Sequence, residues 1–141
     1  MDDLAGSNVN RSYSLAATSI SIFTFMLVFL YPRIASGEVN SEVFQAALVI
    51  MGVATFSFVF AAFHYYGSSL GGRVDDVERR RLAHRGDRLW LLGATLLFFV
   101  PSLILVAVGL LIVAGAWFAM WLGYLVVVVR WFPLVQSPPE S

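Results

Sequence analysis

The chain has 141 residues, 59% of them hydrophobic and 13% charged, with a mean hydropathy of +0.79 and a formal net charge of zero. That hydropathy excludes an ordinary soluble domain, and the charge balance offers neither a basic nucleic-acid surface nor an acidic disordered tail. The absence of cysteine excludes disulfides, thiolate nucleophiles and cysteine metal sites.

The expectation is an all-α, polytopic membrane protein with four transmembrane helices arranged as two hairpins. A span needs about 20 mostly apolar residues. The N-terminal MDDLAGSNVNR is acidic, and the apolar run after it exceeds a signal-peptide core and lacks a small-residue cleavage pattern, so the first helix is expected to be retained. This first span is placed at 13–31, closed by Pro32 and Arg33, and is followed by the short polar connection RIASGEVNSE. A second span is placed at 43–66, closed by Gly67. Next comes the polar loop 67–88, in which GGRVDDVERRRLAHRGDR puts its acids first and its arginines later. That order suits a short helix over 74–84, with Asp75 to Arg79 and Asp76 to Arg80 as pairs four apart. From Leu89 to Val135 the chain is apolar for roughly twice the length of one crossing, so it must fold back. The third and fourth spans are placed at 89–108 and 111–132, turning at Gly109, with Gly115 as the competing turn. These spans form one domain over 1–135, and the tail 136–141 is expected to be disordered.

The arginines orient the bundle. Arg73, Arg79, Arg80, Arg81, Arg85 and Arg88 crowd the central loop, Arg11 precedes the first span and Arg130 ends the last, while Arg33 lies on the opposite side. Cytoplasmic loops accumulate Arg, so both termini and the central loop are expected in the cytoplasm, of a bacterial cell by expectation, with the spans in its plasma (inner) membrane. Tyr13, Tyr65, Tyr66, Trp90 and Trp131 then fall at headgroup level, where amphipathic rings are favoured. The arginine-rich loop should also attract anionic lipid.

Four features compete for a functional role. In the first span Ser14, Ala17, Thr18 and Ser21 gather on one face at about 100° per residue, with Phe25 beyond them. Small hydroxyl-bearing faces serve as helix contacts in lipid, or line a water-filled path in which hydroxyls replace part of an ion's hydration shell and an apolar ring such as Phe25 gates. His64, in FHYYG, either joins a polar network or simply meets interfacial water. Pro101, in FFVPSLIL, removes a backbone donor and bends its helix, with Ser102 or a neighbouring helix satisfying the freed carbonyl. Arg130, followed by Trp131 and Pro133, reads as an interfacial anchor. There is no phosphate-binding glycine loop, no nucleophile with a matching base and no metal-ligand spacing, so neither enzyme activity nor a cofactor is expected.

The order of these features is similar to that of the small bacterial relatives of the lysosomal potassium channel family. Arg11 precedes SYSLAATSIS, the second span closes with FHYY, and the third begins RLWLLGATLLFF, so the resemblance covers residues 11–102. The family's Phe-Ser-Asp-Gly is absent, since Tyr13 and Ser14 are followed by Leu15 and Ala16, and Leu92 stands where that family often has asparagine. The resemblance implies an oligomer whose first helices line a pore for a monovalent cation. With the hydroxyl face, it sets the leading expectation: a small homo-oligomeric, channel-like membrane protein. The alternative is a non-conducting accessory or scaffold subunit of a larger membrane complex, and a third class is a small bundle that binds a lipid or cofactor.

Overall fold

The computed structural model describes residues 2–70 and 75–136. They form α1 (Asp2–Phe29), a 3-10 turn (Tyr31–Ile34), α2 (Ser41–Ser69), α3 (Asp76–Ala107) and α4 (Leu111–Gln136), with no strand among the described residues. All four helices contain a stretch long and apolar enough to cross a membrane. Helices suit that setting because they satisfy every backbone N–H and C=O within the segment.

Two elements differ from the expected division. The arginine-rich segment and the third span are one continuous helix of 32 residues, about 48 Å long at 1.5 Å per residue. The separate helix expected over 74–84 does not exist as such. Nothing between Arg79 and Trp90 breaks a helix except Gly86, and Gly86 is needed where it stands. Residue 74 lies outside the described residues. Asp75 is the N-cap, extended at φ −62° and ψ 149°, and its carboxylate accepts from the Asp76 N–H at 2.8 Å. The expected pairing of Asp75 with Arg79 and Asp76 with Arg80 gives way to Asp76 with Arg79, three apart, at 3.4 Å. Similarly, α1 begins at Asp2, well before the span expected from Tyr13.

The helices pack through size rather than polarity. Along α2, Phe44, Ala47, Met51, Ala54, Phe58, Ala61, Tyr65 and Ser68 are all buried, at alternating steps of three and four that run down one side of the helix. Every second member is large and the others are small, so the seam presents knobs separated by hollows. On α3 the answering residues recur every seven positions: Gly86, Gly93, Val100 and Ala107, all buried. The two helices run antiparallel. A Cβ at Gly93 would lie 3.0 Å from the Phe58 ring, and one at Gly86 would lie 2.9 Å from the Tyr65 ring. Val100 and Ala107 continue the register in one core cluster with Met51 and Phe44. At Gly86 and Gly93 large residues of α2 thus enter positions where α3 has no side chain, which is how helix backbones approach closely when lipid supplies no hydrophobic drive.

α1 lies against this pair with Ser12, Ala16, Ser19 and Met26 buried, Ala16 joining Phe58 and Ala94 in a second core cluster. Asn40 closes the far end: its Oδ1 accepts from the Val43 N–H at 3.0 Å, and its own N–H donates to the Ala107 carbonyl at 2.9 Å. The chain turns after α3 at Gly109, whose φ of +81° is the left-handed conformation that favours glycine, while Gly115 lies inside α4. α4 packs on α3 and is otherwise largely uncovered. It runs to Gln136, and the remainder of the tail expected to be disordered, 137–141, lies outside the described residues.

Candidate functional site

Ser14, Ala17, Thr18, Ser21 and Phe25 share an open face of α1, exposed in the single chain. Ser19, on the other side of the helix, is fully buried. Three hydroxyls of α1 bond to the carbonyl four residues back: Thr18 Oγ1 donates to Ser14 O at 2.9 Å, Ser21 Oγ to Ala17 O at 3.0 Å and Thr24 Oγ1 to Ile20 O at 2.9 Å. The proton is therefore held by the helix, and the oxygen lone pairs remain as acceptors. Phe25 is 57% exposed and meets Phe29 at a tilt of 34°, with centroids 4.5 Å apart.

The polar network at the arginine-rich end of the bundle forms beside His64 rather than through it. Tyr65 Oη donates to Asp87 Oδ1 at 2.7 Å, across the α2–α3 seam. The Tyr65 ring lies over Gly86, so a side chain at residue 86 would displace the phenol from its acceptor. One turn farther along α3, the Arg11 guanidinium of α1 stands 4.5 Å above the Trp90 ring, and Trp90 meets Phe58 edge-on at 6.5 Å. Three helices are thereby tied at one level by one hydrogen bond and one cation–π contact, the latter worth about 0.5–1 kcal/mol where exposed. His64 is half-buried, and its side chain makes no hydrogen bond or ion pair among the described residues. Sequence reasoning put Tyr65 and Trp90 at the interface for their amphipathic rings and left Asp87 in a charged loop. Only the α2–α3 register brings Tyr65 and Asp87 together.

Pro101 lies inside α3, where it removes the N–H that would bond to Leu97 O. Ser102, expected to help there, makes no such bond: its Oγ is buried and has no partner among the described residues. The indoles of α4 bond to α3 on either side of the Leu97 carbonyl rather than to it: Trp117 Nε1–H donates to Phe98 O at 3.1 Å and Trp121 Nε1–H donates to Thr95 O at 2.9 Å. Around them Phe99 meets Trp121 at 4.9 Å and Phe118 at 6.2 Å, and Phe98 meets Tyr124 at 5.2 Å. Sequence reasoning missed both indoles. Their signal was a pair of tryptophans four apart in mid-span, far from the headgroup level where this side chain is at home.

Arg130 is exposed at the end of α4. Among the described residues no group of three or more His, Cys, Asp or Glu side chains converges as a metal site. Together the four apolar helices and these internal ties define an all-α integral membrane protein. Comparison of the chain with protein-family models, with curated proteins and with solved structures finds no match.

Proposed function

We propose that the chain is the subunit of a homo-oligomeric, channel-like protein of the bacterial plasma membrane that passes monovalent cations along the first helices. In this reading the spans form two hairpins, with both termini and the connection between α2 and α3 in the cytoplasm, as the arginine distribution favours. The observation that carries the proposal is the open face of α1. Its hydroxyls at Ser14, Thr18 and Ser21 face away from the chain's own core while the other side of the helix is packed. Small residues there let neighbouring copies approach, and oxygen lone pairs can replace part of a cation's hydration shell. Because the hydroxyl protons of Thr18 and Ser21 are held by their own helix, their lone pairs are free to face an ion. Phe25, one turn beyond Ser21, supplies an apolar narrowing. The resemblance of residues 11–102 to small bacterial relatives of the lysosomal potassium channel family points the same way.

The test is cation flux into liposomes. Purified protein should pass monovalent cations, and Thr18→Leu or Ser21→Leu should change that flux while the oligomer persists. A stable monomer without conductance for any monovalent ion overturns the proposal.

A second reading, a non-conducting accessory subunit, draws on α4, which is apolar on all sides and nearly uncovered in the single chain. Co-purification of a stoichiometric second chain from native membranes favours it, and a self-only oligomer favours the channel.

A further inference from the structure

Between α3 and α4 lies a cleft of about 330 Å³, lined by Phe99, Ser102 and Val106 on one side and Leu111, Gly115 and Phe118 on the other. Its volume falls within the range of small-molecule sites. Ser102 supplies the single polar side chain among its described lining residues, and that serine is 4% exposed with an Oγ that bonds to nothing among the described residues. The other buried helix hydroxyls behave differently. Ser12, Ser19 and Ser57 each donate to the carbonyl four residues back, and Ser68 donates to the carbonyl three back. For Ser102 that carbonyl is Phe98 O, which already accepts the Trp117 indole proton. An unsatisfied buried hydroxyl costs about 1–3 kcal/mol. Water is a poor remedy, because a buried water needs about two to four polar partners and no second polar side chain lines the cleft among the described residues.

Depth selects the chemistry. The turn after α3 carries Val108, Gly109 and Leu110, and α4 opens with Leu111 and with Ile112 at 90% exposure, so this end of the helix pair belongs in or at the edge of hydrocarbon. Ser102 lies seven residues before Gly109, about 10 Å deeper along the helix. Phospholipid headgroups and esters stay at the boundary, beyond the reach of so short a side chain. We infer that the cleft between α3 and α4 binds a neutral, membrane-dissolved molecule with a hydrogen-bond acceptor on an apolar body, such as an alkyl quinone, and that Ser102 is its donor. The Oγ is buried behind the wall of the cleft, and rotation about χ1 between staggered wells turns it toward the acceptor. Phe99 and Phe118 wall the apolar body. The site stands apart from the α1 face, so it does not depend on the channel reading.

The test is equilibrium binding of decylubiquinone to the full chain in lipid nanodiscs. Wild type should bind one probe per chain saturably. Ser102→Ala should weaken binding about tenfold, the equivalent of one hydrogen bond of about 1.4 kcal/mol, and Ser102→Thr should retain most of it. Gly115→Leu should abolish binding: a Cβ there meets nothing within 4 Å, so the new side chain enters the cleft without moving the backbone. Helix content and elution volume report folding, and Gly115→Leu decides the matter should Ser102→Ala misfold. Non-saturable partition by wild type overturns the inference. So does equal binding by wild type and Gly115→Leu, or binding that appears only once an oligomer is dissociated, which identifies a second copy as the occupant.

Discussion

Gly93 of α3 faces Phe58 of α2 so closely that a Cβ at residue 93 would lie 3.0 Å from the ring and 3.1 Å from the Ala54 carbonyl oxygen. The ring could tilt, but the carbonyl belongs to a helix and cannot step aside. Overpacking of a filled seam costs about 1–3 kcal/mol, and relief from glycine's poor helix propensity returns about 1 kcal/mol at most, less for a β-branched residue. Gly93→Val is therefore expected to destabilise the bundle by about 1–2 kcal/mol, seen as a lower midpoint in thermal or detergent unfolding. Gly52→Ala is the control, since a Cβ there meets nothing within 4 Å, and its midpoint should hold or rise.

The Tyr65–Asp87 hydrogen bond predicts a coupling that His64 lacks. Tyr65→Phe keeps the ring over Gly86 and removes only the hydroxyl, leaving Asp87, which is exposed, to water. The expected loss is about 1 kcal/mol, as for a typical hydrogen bond. A double-mutant cycle with Asp87→Ala should return a coupling of about 0.5–1.5 kcal/mol for Tyr65. For His64→Phe against Asp87→Ala it should return none. Equal couplings would show that the network runs through both residues.

How much of this arrangement was legible beforehand depends on what the pattern was written in. Four apolar segments follow from length and hydropathy, whereas the choice of Gly109 over Gly115 for the turn rests on the left-handed backbone at Gly109, to which hydropathy is blind. The α2 seam does not appear in hydropathy, because every face of α2 is apolar. It is written in side-chain volume, as Phe44, Met51, Phe58 and Tyr65 at steps of seven with alanines between, answered by Gly86 and Gly93. The hydroxyl face of α1 was visible as a periodicity, and so was the separation of Ser19 from it. The mid-span tryptophans at 117 and 121 signal that their indoles need partners, but which partners is not written in the sequence, because the acceptors are backbone carbonyls. The acid–arginine pairs were misassigned by one step because Asp75 serves as a cap rather than as a member of the helix.

The two sides of α1 should respond oppositely to the same substitution. Ser19 is fully buried, so Ser19→Leu forces extra methylenes into the packed interior, and a loss of about 1–3 kcal/mol is expected. Ser21 is exposed, so Ser21→Leu should leave the unfolding midpoint of the chain unchanged in detergent. If the open face lines a path for ions, Ser21→Leu changes cation flux without changing stability. A matching loss of stability in both variants would show that Ser21 is also packed in the working assembly.

α4 should be the first helix to come loose, since its ties reach α3 alone. Interhelical hydrogen bonds in membranes average about 0.6 kcal/mol, and two indoles are involved here. The double variant Trp117→Phe and Trp121→Phe keeps the aromatic surface and removes both donors. Its expected signature is faster hydrogen exchange across Val113 to Val127, with amides of the buried α2 seam still protected. Equal acceleration in α2 would mean that the four helices open as one cooperative unit.

The proposed orientation can be read directly, because the chain has no cysteine and a single introduced thiol is the only one present. Ser36, in the connection between α1 and α2, is exposed and accompanies Arg33, the lone arginine on its side. Arg81, in the first turns of α3, is exposed among the arginines expected inside. In intact cells a membrane-impermeant maleimide should label Ser36→Cys, and it should label Arg81→Cys only after permeabilisation. The arginine counts make this outcome strongly asymmetric: moving five or more charges across a bilayer is far costlier than moving one, since each charged side chain at the centre of the membrane costs at least about 2.5 kcal/mol. Labelling of both thiols in intact cells would indicate dual insertion and remove the basis for placing both termini in the cytoplasm.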